Sequence, residues 1–214
     1  MKKISLRANT NSIVPIPLSL LQGNQGYYIN STERTANHHD VFIDSDIVEP
    51  QHYRELIAIL FNANQGDSVN IFLNSNGGHL DTAIAIVEGL KTTEAATTAI
   101  IIGACHSAAS IIAMYCHDVV VLDGAYTMVH TASFGAQGNT SNVRSHTEFT
   151  VRQVEKLLND TYEGFLTKDE LHKVKTGVEL WFDSEEIRKR MVSRAKLVKA
   201  KLKKEKKTTG DDGE

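Results

Sequence analysis

The sequence predicts an α/β fold with a mainly parallel sheet. Short apolar runs rich in Val and Ile alternate with longer segments whose apolar residues recur at helical spacing. Turns of small and polar residues, such as Asn74-Ser75-Asn76-Gly77-Gly78, join runs to the helical segments that follow them. This alternation is typical of a sheet with helices packed against it. The length of 214 residues suits one domain with a short appendage.

The first half of the chain contains three predicted strands and two predicted helices. Residues 13–18 include two prolines and are predicted as an edge strand, because an edge tolerates proline. Residues 41–43 and 69–73 are predicted as further strands. Helical spacing predicts a helix over residues 49–64 and an apolar helix over residues 80–90.

The second half continues the alternation. Residues 99–102 are predicted as a buried strand, and residues 107–114 as a short helix of small residues. Strands are predicted at residues 119–122 and 127–129, followed by a long amphipathic helix over residues 143–165. In sheets of this kind, binding sites form at the carboxyl ends of the strands.

The composition excludes several classes of protein. Hydrophobic residues make up 41% of the chain and charged residues 23%, which is typical of a globular domain and not of a disordered one. No apolar run approaches the ~20 residues of a membrane helix, so no membrane association is expected. No apolar stretch follows the basic start, so a secretory signal is not expected either. The two cysteines, Cys105 and Cys116, cannot form a disulfide framework, so a reducing, cytoplasmic location is expected.

Charge is distributed unevenly along the chain. The net charge is −3, but residues 187–207 hold 11 basic residues and one acid, Glu205. Helical spacing in this segment predicts a solvated helix that runs from Ser184 and frays after Lys203. The alternative is an electrostatic contact with nucleic acid or with an acidic partner. The segment lacks interleaved aromatic residues, which weakens a nucleic-acid role.

Three residues are candidates for chemistry. Ser107 begins a predicted helix, where backbone N–H groups and the helix dipole favour a negatively charged oxygen. His130 ends a predicted strand and can serve as the base that a serine nucleophile needs. Glu179 is a candidate for the carboxylate that fixes the tautomer of such a histidine. Each also has an ordinary structural interpretation, since serine often caps a helix, and periodicity alone does not bring the three together.

Four motifs follow one another along the chain: Gly77-Gly78, then Gly103-Ala104-Cys105-His106-Ser107, then Thr127-Met128-Val129-His130, and finally Glu179-Leu180-Trp181-Phe182. The separations are 29 residues from Gly78 to Ser107 and 49 from His130 to Glu179. In both order and spacing the chain resembles the ClpP family of self-compartmentalising serine proteases over residues 41–187. The run from Ser107 to Met114 is similar to phage-type members.

The resemblance implies a role for each matched residue. Ser107 corresponds to the nucleophile, His130 to the general base and Glu179 to the third member of the triad. The backbone N–H groups of Gly78 and Ala108 correspond to the oxyanion hole. Residues implied to bind an extended peptide substrate by strand addition are Gly77, Gly135, Ala136, Gln137 and Gly138. No cofactor and no metal is implied.

The resemblance also implies an architecture and an assembly. The fold would consist of ClpP/crotonase-type repeated β-β-α layers with a handle helix, through which homo-oligomeric rings stack. The expected domains are a divergent N-terminal segment (1–40), a protease domain (41–186) and a basic C-terminal helix and tail (187–214). Peptides and proteins would be the substrates, an AAA+ unfoldase is a candidate partner, and phage capsid maturation or scaffold cleavage is the expected setting.

The chain departs from the family pattern at several positions. The family usually has Asp where Glu179 stands; an alignment shifted by one residue puts Leu180 there, and Asp183 is the alternative carboxylate. His79 replaces a small residue after the Gly-Gly turn, so its ring is expected to crowd the site. A final Gly-Leu-[IV]-Asp strand is missing. These departures motivate the alternative of an inactive assembly subunit.

Other interpretations of the same residues are weaker. Cys105 lies 25 positions before His130, the separation that housekeeping members keep between nucleophile and base, so it is an alternative nucleophile. The pairs Cys105-His106 and Cys116-His117 could indicate zinc, but their spacing fits no short ligand motif. An acyl-CoA enzyme of the crotonase class would share the fold but would not need the Ser107 and His130 pair.

Overall fold

The computed structural model describes the backbone of residues 36–208 and the side chains of residues 36–201. The edge strand predicted at residues 13–18 therefore lies outside the described residues. Within them, six strands form one sheet. The strands are β1 (His38–Ile43), β2 (Ser68–Ser75), β3 (Ala96–His106), β4 (Asp118–Val121), β5 (Tyr126–Val129) and β6 (Leu180–Asp183).

Six α-helices accompany the sheet in the described part of the chain. They are α1 (Arg54–Asn62), α2 (Leu80–Thr92), α3 (Ala108–Tyr115), α4 (Thr140–Tyr162), α5 (Lys168–Lys175) and α6 (Ser184–Thr208), and a short 3₁₀ helix (Pro50–Tyr53) precedes α1. The predicted α/β alternation is confirmed. None of these helices has the length and apolar character that crossing a membrane requires.

The sheet is mainly parallel, as the sequence predicts. Its strand order is β1-β2-β3-β5-β6, and β4 pairs with the first half of β3. β5 pairs with the last residues of β3, so β4 and β5 follow one another along the same edge. The exception is β6, which runs antiparallel to β5. The parallel order brings the carboxyl ends of β2, β3 and β5 together.

Helices cover one face of the sheet, so the side chains of a strand are alternately buried and partly exposed. Val69, Ile71 and Leu73 of β2 are completely buried against this layer, whereas the residues between them are partly exposed. Helix α2 packs between α1 and α3 through buried small and branched side chains such as Ala83 and Ile86. Burial of a large aliphatic side chain such as Ile86 stabilises the folded protein by about 1.5–3 kcal/mol relative to exposure.

Several predicted boundaries differ from the structure by three or more residues. Residues 103–106, between the strand predicted at 99–102 and the helix predicted at 107–114, belong to β3, which continues to His106. The register between β2 and β3 shifts between Leu73 and Ser75, and the side chain of Asn74 compensates by accepting a hydrogen bond from the Ala104 amide at 3.1 Å. Helix α6 continues to Thr208, past the predicted fraying point at Lys203.

Helix α5 has no predicted counterpart. Its N-terminus carries a capping box: Thr167 Oγ1 accepts from the Glu170 amide, and the Glu170 carboxylate accepts from the Thr167 amide. A threonine followed three positions later by glutamate is a recognisable helix-start signal, and it was the available clue to this helix.

Arginines of α6 attach the basic segment to the body of the protein. Arg190 makes two hydrogen bonds of 2.8 Å to the Glu170 carboxylate and a third, of 2.7 Å, to Glu186. Its guanidinium also lies 4.4 Å from the ring centre of Phe182 in β6. Arg194 donates to the carbonyl of Glu163 at 2.7 Å. The start of α6 is thus packed against α5 and β6 and is not a freely solvated helix.

The Arg190–Glu170 pair predicts a specific loss of stability in acid. Arg190 lowers the pKa of Glu170 from its usual value to about 2, so the carboxylate stays charged in the folded protein well below pH 4.5. This contribution to stability is present above the unfolded-state pKa and is lost as pH falls from about 4.5 towards 2. We expect Arg190→Met to lower the free energy of unfolding at pH 7 by about 2 kcal/mol and to flatten this part of its pH dependence.

Urea unfolding at pH 7 and at pH 3 measures both effects. Lys189→Met is the matched control, because Lys189 belongs to the same helix and its ammonium group makes only an exposed contact of 3.6 Å with Glu186. An Arg190→Met protein that loses stability between pH 7 and pH 3 as steeply as the wild type would contradict this assignment.

Candidate active site

Ser107 occupies a strained turn between β3 and α3. Its φ of 51° and ψ of −120° make it the one non-glycine residue with positive φ in the described part of the chain. The turn is held because the Ser107 amide donates to the Met128 carbonyl at 2.8 Å and the Ser107 carbonyl accepts from the Ile111 amide at 3.2 Å. Strained backbone that its surroundings enforce is characteristic of functional sites. This turn presents Ser107 Oγ at the carboxyl end of the sheet, beside the start of α3.

His130 meets Ser107 at this edge of the sheet. It directly follows β5, which pairs with the end of β3, and its Nε2 lies 2.7 Å from Ser107 Oγ. This distance is within the range in which a general base can accept the hydroxyl proton. With Nε2 accepting, Nδ1 carries the ring proton of the neutral histidine. Two residues separated by 23 positions in the sequence are therefore brought into direct contact.

Glu179 lies next to this pair in strand register. β6 pairs with β5 through Val129 and Leu180, and one further step along the two antiparallel strands sets His130 opposite Glu179. The Glu179 side chain is exposed. Among the described residues, no hydrogen bond or ion pair joins His130 to a carboxylate.

Asp183, the alternative carboxylate, has a different environment. It lies at the far end of β6, opposite Tyr126, and its Oδ1 accepts a hydrogen bond of 2.9 Å from the Glu186 amide. Asp183 thus satisfies an N–H group in the first turn of α6. Of the two carboxylates, Glu179 is the one whose strand position matches His130.

Gly77 and Gly78 form a turn that passes close to Ser107. A Cβ on Gly77 would lie 2.8 Å from Ser107 Cβ and 3.0 Å from the Ala108 nitrogen, and a Cβ on Gly78 would lie 2.2 Å from the Ile47 carbonyl oxygen. Both residues also have positive φ, 93° and 140°. The Gly77 carbonyl and the His79 amide are tied to the backbone of Ile47 by hydrogen bonds of 2.7 Å each. Only glycine fits at these two positions.

Backbone N–H groups of this turn and of α3 border a common cavity. Gly78 and Ala108 both line it, and Ala108 is the first residue of α3, whose N–H has no partner within the helix. The positive end of the α3 dipole adds to the field at this point. The arrangement is suited to stabilising a negatively charged oxygen bonded to a carbon that Ser107 Oγ has attacked.

The cavity beside Ser107 has a volume of about 660 Å³. Most of its wall is apolar, formed by side chains of α3, β5, α4 and the segment after His130; these include Ile111, Met128, Phe134, Val154, Leu157 and Leu158. The cavity is large enough for an amino-acid side chain and is open to solvent on one side.

The segment after His130 is irregular and mostly exposed. Gly135, Ala136, Gln137 and Gly138 pair with no strand of the described residues. The ring of Phe134, which precedes them, and that of His146 in α4 are arranged edge to face, with their centres 6.4 Å apart. The backbone of this segment is therefore free to pair with another extended chain.

His79 lies on the cavity wall beside the oxyanion-type turn. Its Nδ1 is 3.3 Å from Thr82 Oγ1, and Thr82 Oγ1 donates its proton to the Val48 carbonyl at 2.7 Å. The imidazole therefore donates from Nδ1 to Thr82. The ring remains at the start of α2 and leaves the contact between Ser107 and His130 intact.

The cysteines have environments that oppose nucleophilic chemistry. Cys105 is completely buried, and burial raises the pKa of its thiol far above the usual value. Burial likewise raises the pKa of the Cys116 thiol, to about 12. A buried thiol held in its protonated form is a poor nucleophile and a poor metal ligand. The described residues contain no group of three or more His, Cys, Asp or Glu side chains arranged to hold a metal ion.

Sequence reasoning missed one polar link to Ser107. Ser110 donates to the Ser107 carbonyl at 2.7 Å, and the hydroxyl of Tyr162 lies 2.6 Å from Ser110 Oγ. Ser110 and Tyr162 are 52 positions apart, and neither matches a spacing motif, so no local signal could have paired them.

A known protein family matches most of the chain. The family model described as Clp protease matches residues 22–189, which include the Gly77-Gly78 turn, Ser107, His130 and Glu179. No curated protein resembles the chain closely enough to count as a relative. The mixed α/β fold with its six-stranded sheet is consistent with the ClpP type. The extent of the match shows that this chain belongs to the Clp protease family.

Proposed function

We propose that the protein is a serine endopeptidase with Ser107 as nucleophile, His130 as general base and Glu179 as third member of the triad. Membership in the Clp protease family implies a serine peptidase. The observation that carries the assignment of residues is the 2.7 Å contact between His130 Nε2 and Ser107 Oγ, made at a serine held with a φ of 51°.

The first half of the reaction forms an acyl-enzyme. Ser107 Oγ attacks the carbonyl carbon of the scissile peptide bond while His130 Nε2 takes the hydroxyl proton. The N–H groups of Gly78 and Ala108 stabilise the negative oxygen of the tetrahedral intermediate. His130 then passes its proton to the leaving amine, the C–N bond breaks, and the acyl group remains on Ser107.

The second half restores the enzyme. A water molecule attacks the acyl carbon, His130 takes one proton from it, and the bond to Ser107 Oγ breaks as the protonated His130 returns the proton to the serine. Glu179 stabilises the charged imidazole and favours the tautomer with a proton on Nδ1. Its strand position opposite His130 supports this role.

The substrate is an extended peptide. The exposed backbone at Gly135, Ala136, Gln137 and Gly138 pairs with it by strand addition. Gly77 is not available for this pairing, because its amide donates to Ser75 Oγ and its carbonyl accepts from the Ile47 amide. Recognition through the backbone is largely independent of sequence. One side chain enters the apolar cavity of about 660 Å³ beside Ser107.

The active protein is a homo-oligomeric ring. Family membership supports this proposal, and so does α4, which buries only residues of its last turns against its own body and leaves Phe149 and Val151 exposed. Rings would enclose the active sites and keep folded proteins out. An AAA+ partner and a phage capsid or scaffold substrate stay predictions of the sequence resemblance.

Covalent labelling tests this function. We expect a fluorophosphonate probe to label the wild-type protein at Ser107, and peptide mapping by mass spectrometry to locate the adduct. Unfolding the protein in guanidinium chloride before adding the probe should abolish labelling, because an isolated serine hydroxyl is a poor nucleophile. Intact rings that neither label nor hydrolyse an unfolded protein would instead identify an inactive assembly subunit.

A further inference from the structure

Tyr162, near the C-terminal end of α4, is connected to the nucleophile by two consecutive hydrogen bonds. Its hydroxyl lies 2.6 Å from Ser110 Oγ, and Ser110 Oγ donates to the Ser107 carbonyl oxygen at 2.7 Å. Tyr162 and Ser110 are each only 1% exposed. On the basis of the proposed function, we propose that Tyr162 is a positioning residue that acts through Ser110 to hold the Ser107 peptide group in its catalytic orientation.

The direction of the two hydrogen bonds is fixed. Ser110 has a single hydroxyl proton, which it donates to the Ser107 carbonyl, so its oxygen must accept from Tyr162. Burial raises the pKa of Tyr162 far above its usual value, so the phenol keeps the proton that it donates. Each bond polarises the next one, which strengthens the pair in a dry environment.

The Ser107 carbonyl, which accepts the second of these hydrogen bonds, belongs to the same peptide group as the Ala108 N–H. The Ser107 C=O and the Ala108 N–H lie in one planar unit and point in opposite directions. A hydrogen bond that restrains the carbonyl therefore also restrains the Ala108 N–H, which belongs to the proposed oxyanion hole. The Ser107 carbonyl also accepts from the Ile111 amide at 3.2 Å, so losing the bond from Ser110 would remove the shorter of its two restraints, at a residue whose φ of 51° and ψ of −120° are unfavourable.

The same link connects α4 to the catalytic serine. Helix α4 is 23 residues long, yet its buried residues, Val154, Leu158, Thr161 and Tyr162, all lie in its C-terminal part. Tyr162 also lines the cavity beside Ser107. The hydroxyl groups of Tyr162 and Ser110 therefore link the packing of the C-terminal end of α4 to the position of Ser107.

Three variants separate positioning from packing. Tyr162→Phe removes the phenol oxygen and keeps the ring, Ser110→Ala removes the middle hydroxyl, and the double variant removes both. We expect each to lower kcat about tenfold with KM changed less than about twofold. Because the two hydroxyls act as one chain, the double variant should lose no more than about tenfold in total. Labelling of Ser107 by the fluorophosphonate should slow by the same factor.

Tyr115→Phe is the matched control. Tyr115 is a neighbouring tyrosine whose hydroxyl accepts a bond of 3.5 Å from Thr161 and makes no contact with Ser110. It should keep wild-type kcat. Two results would overturn the proposal. One is a Tyr162→Phe protein as active as the wild type. The other is a loss of kcat that is additive in the double variant and that parallels a decrease in melting temperature. If the wild-type protein is neither labelled at Ser107 nor able to cleave peptides, the proposed function is wrong, and this inference is wrong with it before any variant is compared.

Discussion

Replacing Ser107 with alanine will lower kcat for peptide hydrolysis by at least about 10⁴-fold. The substitution removes the oxygen that lies 2.7 Å from His130 Nε2, so no acyl-enzyme can form. What remains is the catalysis that N–H donors and substrate binding supply without a nucleophile. Hydrolysis of a fluorogenic peptide by equal concentrations of the two proteins measures the loss, and fluorophosphonate labelling at this position should disappear with it.

The Ser107→Ala protein will stay folded. The hydrogen bonds that hold this turn use the backbone of Ser107, which donates to Met128 and accepts from Ile111 and Ser110. Alanine carries the same Cβ at the same φ of 51°, so the backbone strain is unchanged. We expect the melting temperature to change by less than about 2 °C.

Cys105→Ala separates the two candidate nucleophiles. Cys105 is buried in the sheet, so this variant loses some stability through the small cavity that it creates, but its hydrolysis rate should remain near that of the wild type. A Ser107→Ala protein that retains wild-type activity, or a Cys105→Ala protein that is folded and inactive, would contradict the assignment of Ser107.

Local patterns predicted most of the fold because its central strands are rich in apolar β-branched residues. They failed where tertiary contacts decide the local structure. Gly103 indicates a turn, but the strand continues to His106 because Asn74 of the neighbouring strand satisfies the amide of Ala104. Likewise, the basic composition of α6 indicates a solvated helix, and only the folded structure shows that Arg190 and Arg194 bind carboxylate and carbonyl groups of the body.

Less of the active site than of the fold could be predicted from the sequence. Helix starts, strand ends and glycine turns can be predicted locally, but the contact between Ser107 and His130 depends on the pairing of β3 with β5. The order and spacing of several motifs supplied that information through a family resemblance. The Ser110–Tyr162 link had no such support, because it depends on how the end of α4 packs against α3.

The two carboxylates of the β6 region can be distinguished by their strand positions. Continuing the β5–β6 register one step beyond Val129 and Leu180 sets Glu179 opposite His130, whereas Asp183 lies at the other end of the strand and binds the first turn of α6. An alignment shifted by one residue would put Leu180 in the triad, but Leu180 pairs with Val129, one position short of His130. These observations favour Glu179 as the partner of Nδ1 in the complex with substrate.

Glu179→Gln will therefore lower kcat by about 10²-fold, while Asp183→Asn will change it less than about twofold. Both substitutions neutralise one carboxylate of the same region, and asparagine still caps a helix about as well as aspartate, so the α6 start is preserved. Loss of the orienting carboxylate in a buried triad costs about 10⁴-fold. We expect a smaller effect because Glu179 is exposed, and water screens its charge. Glu179→Asp, which keeps the charge, should recover most of the rate. If instead Asp183→Asn is the inactive variant and Glu179→Gln retains activity, the carboxylate of the triad comes from the other end of β6.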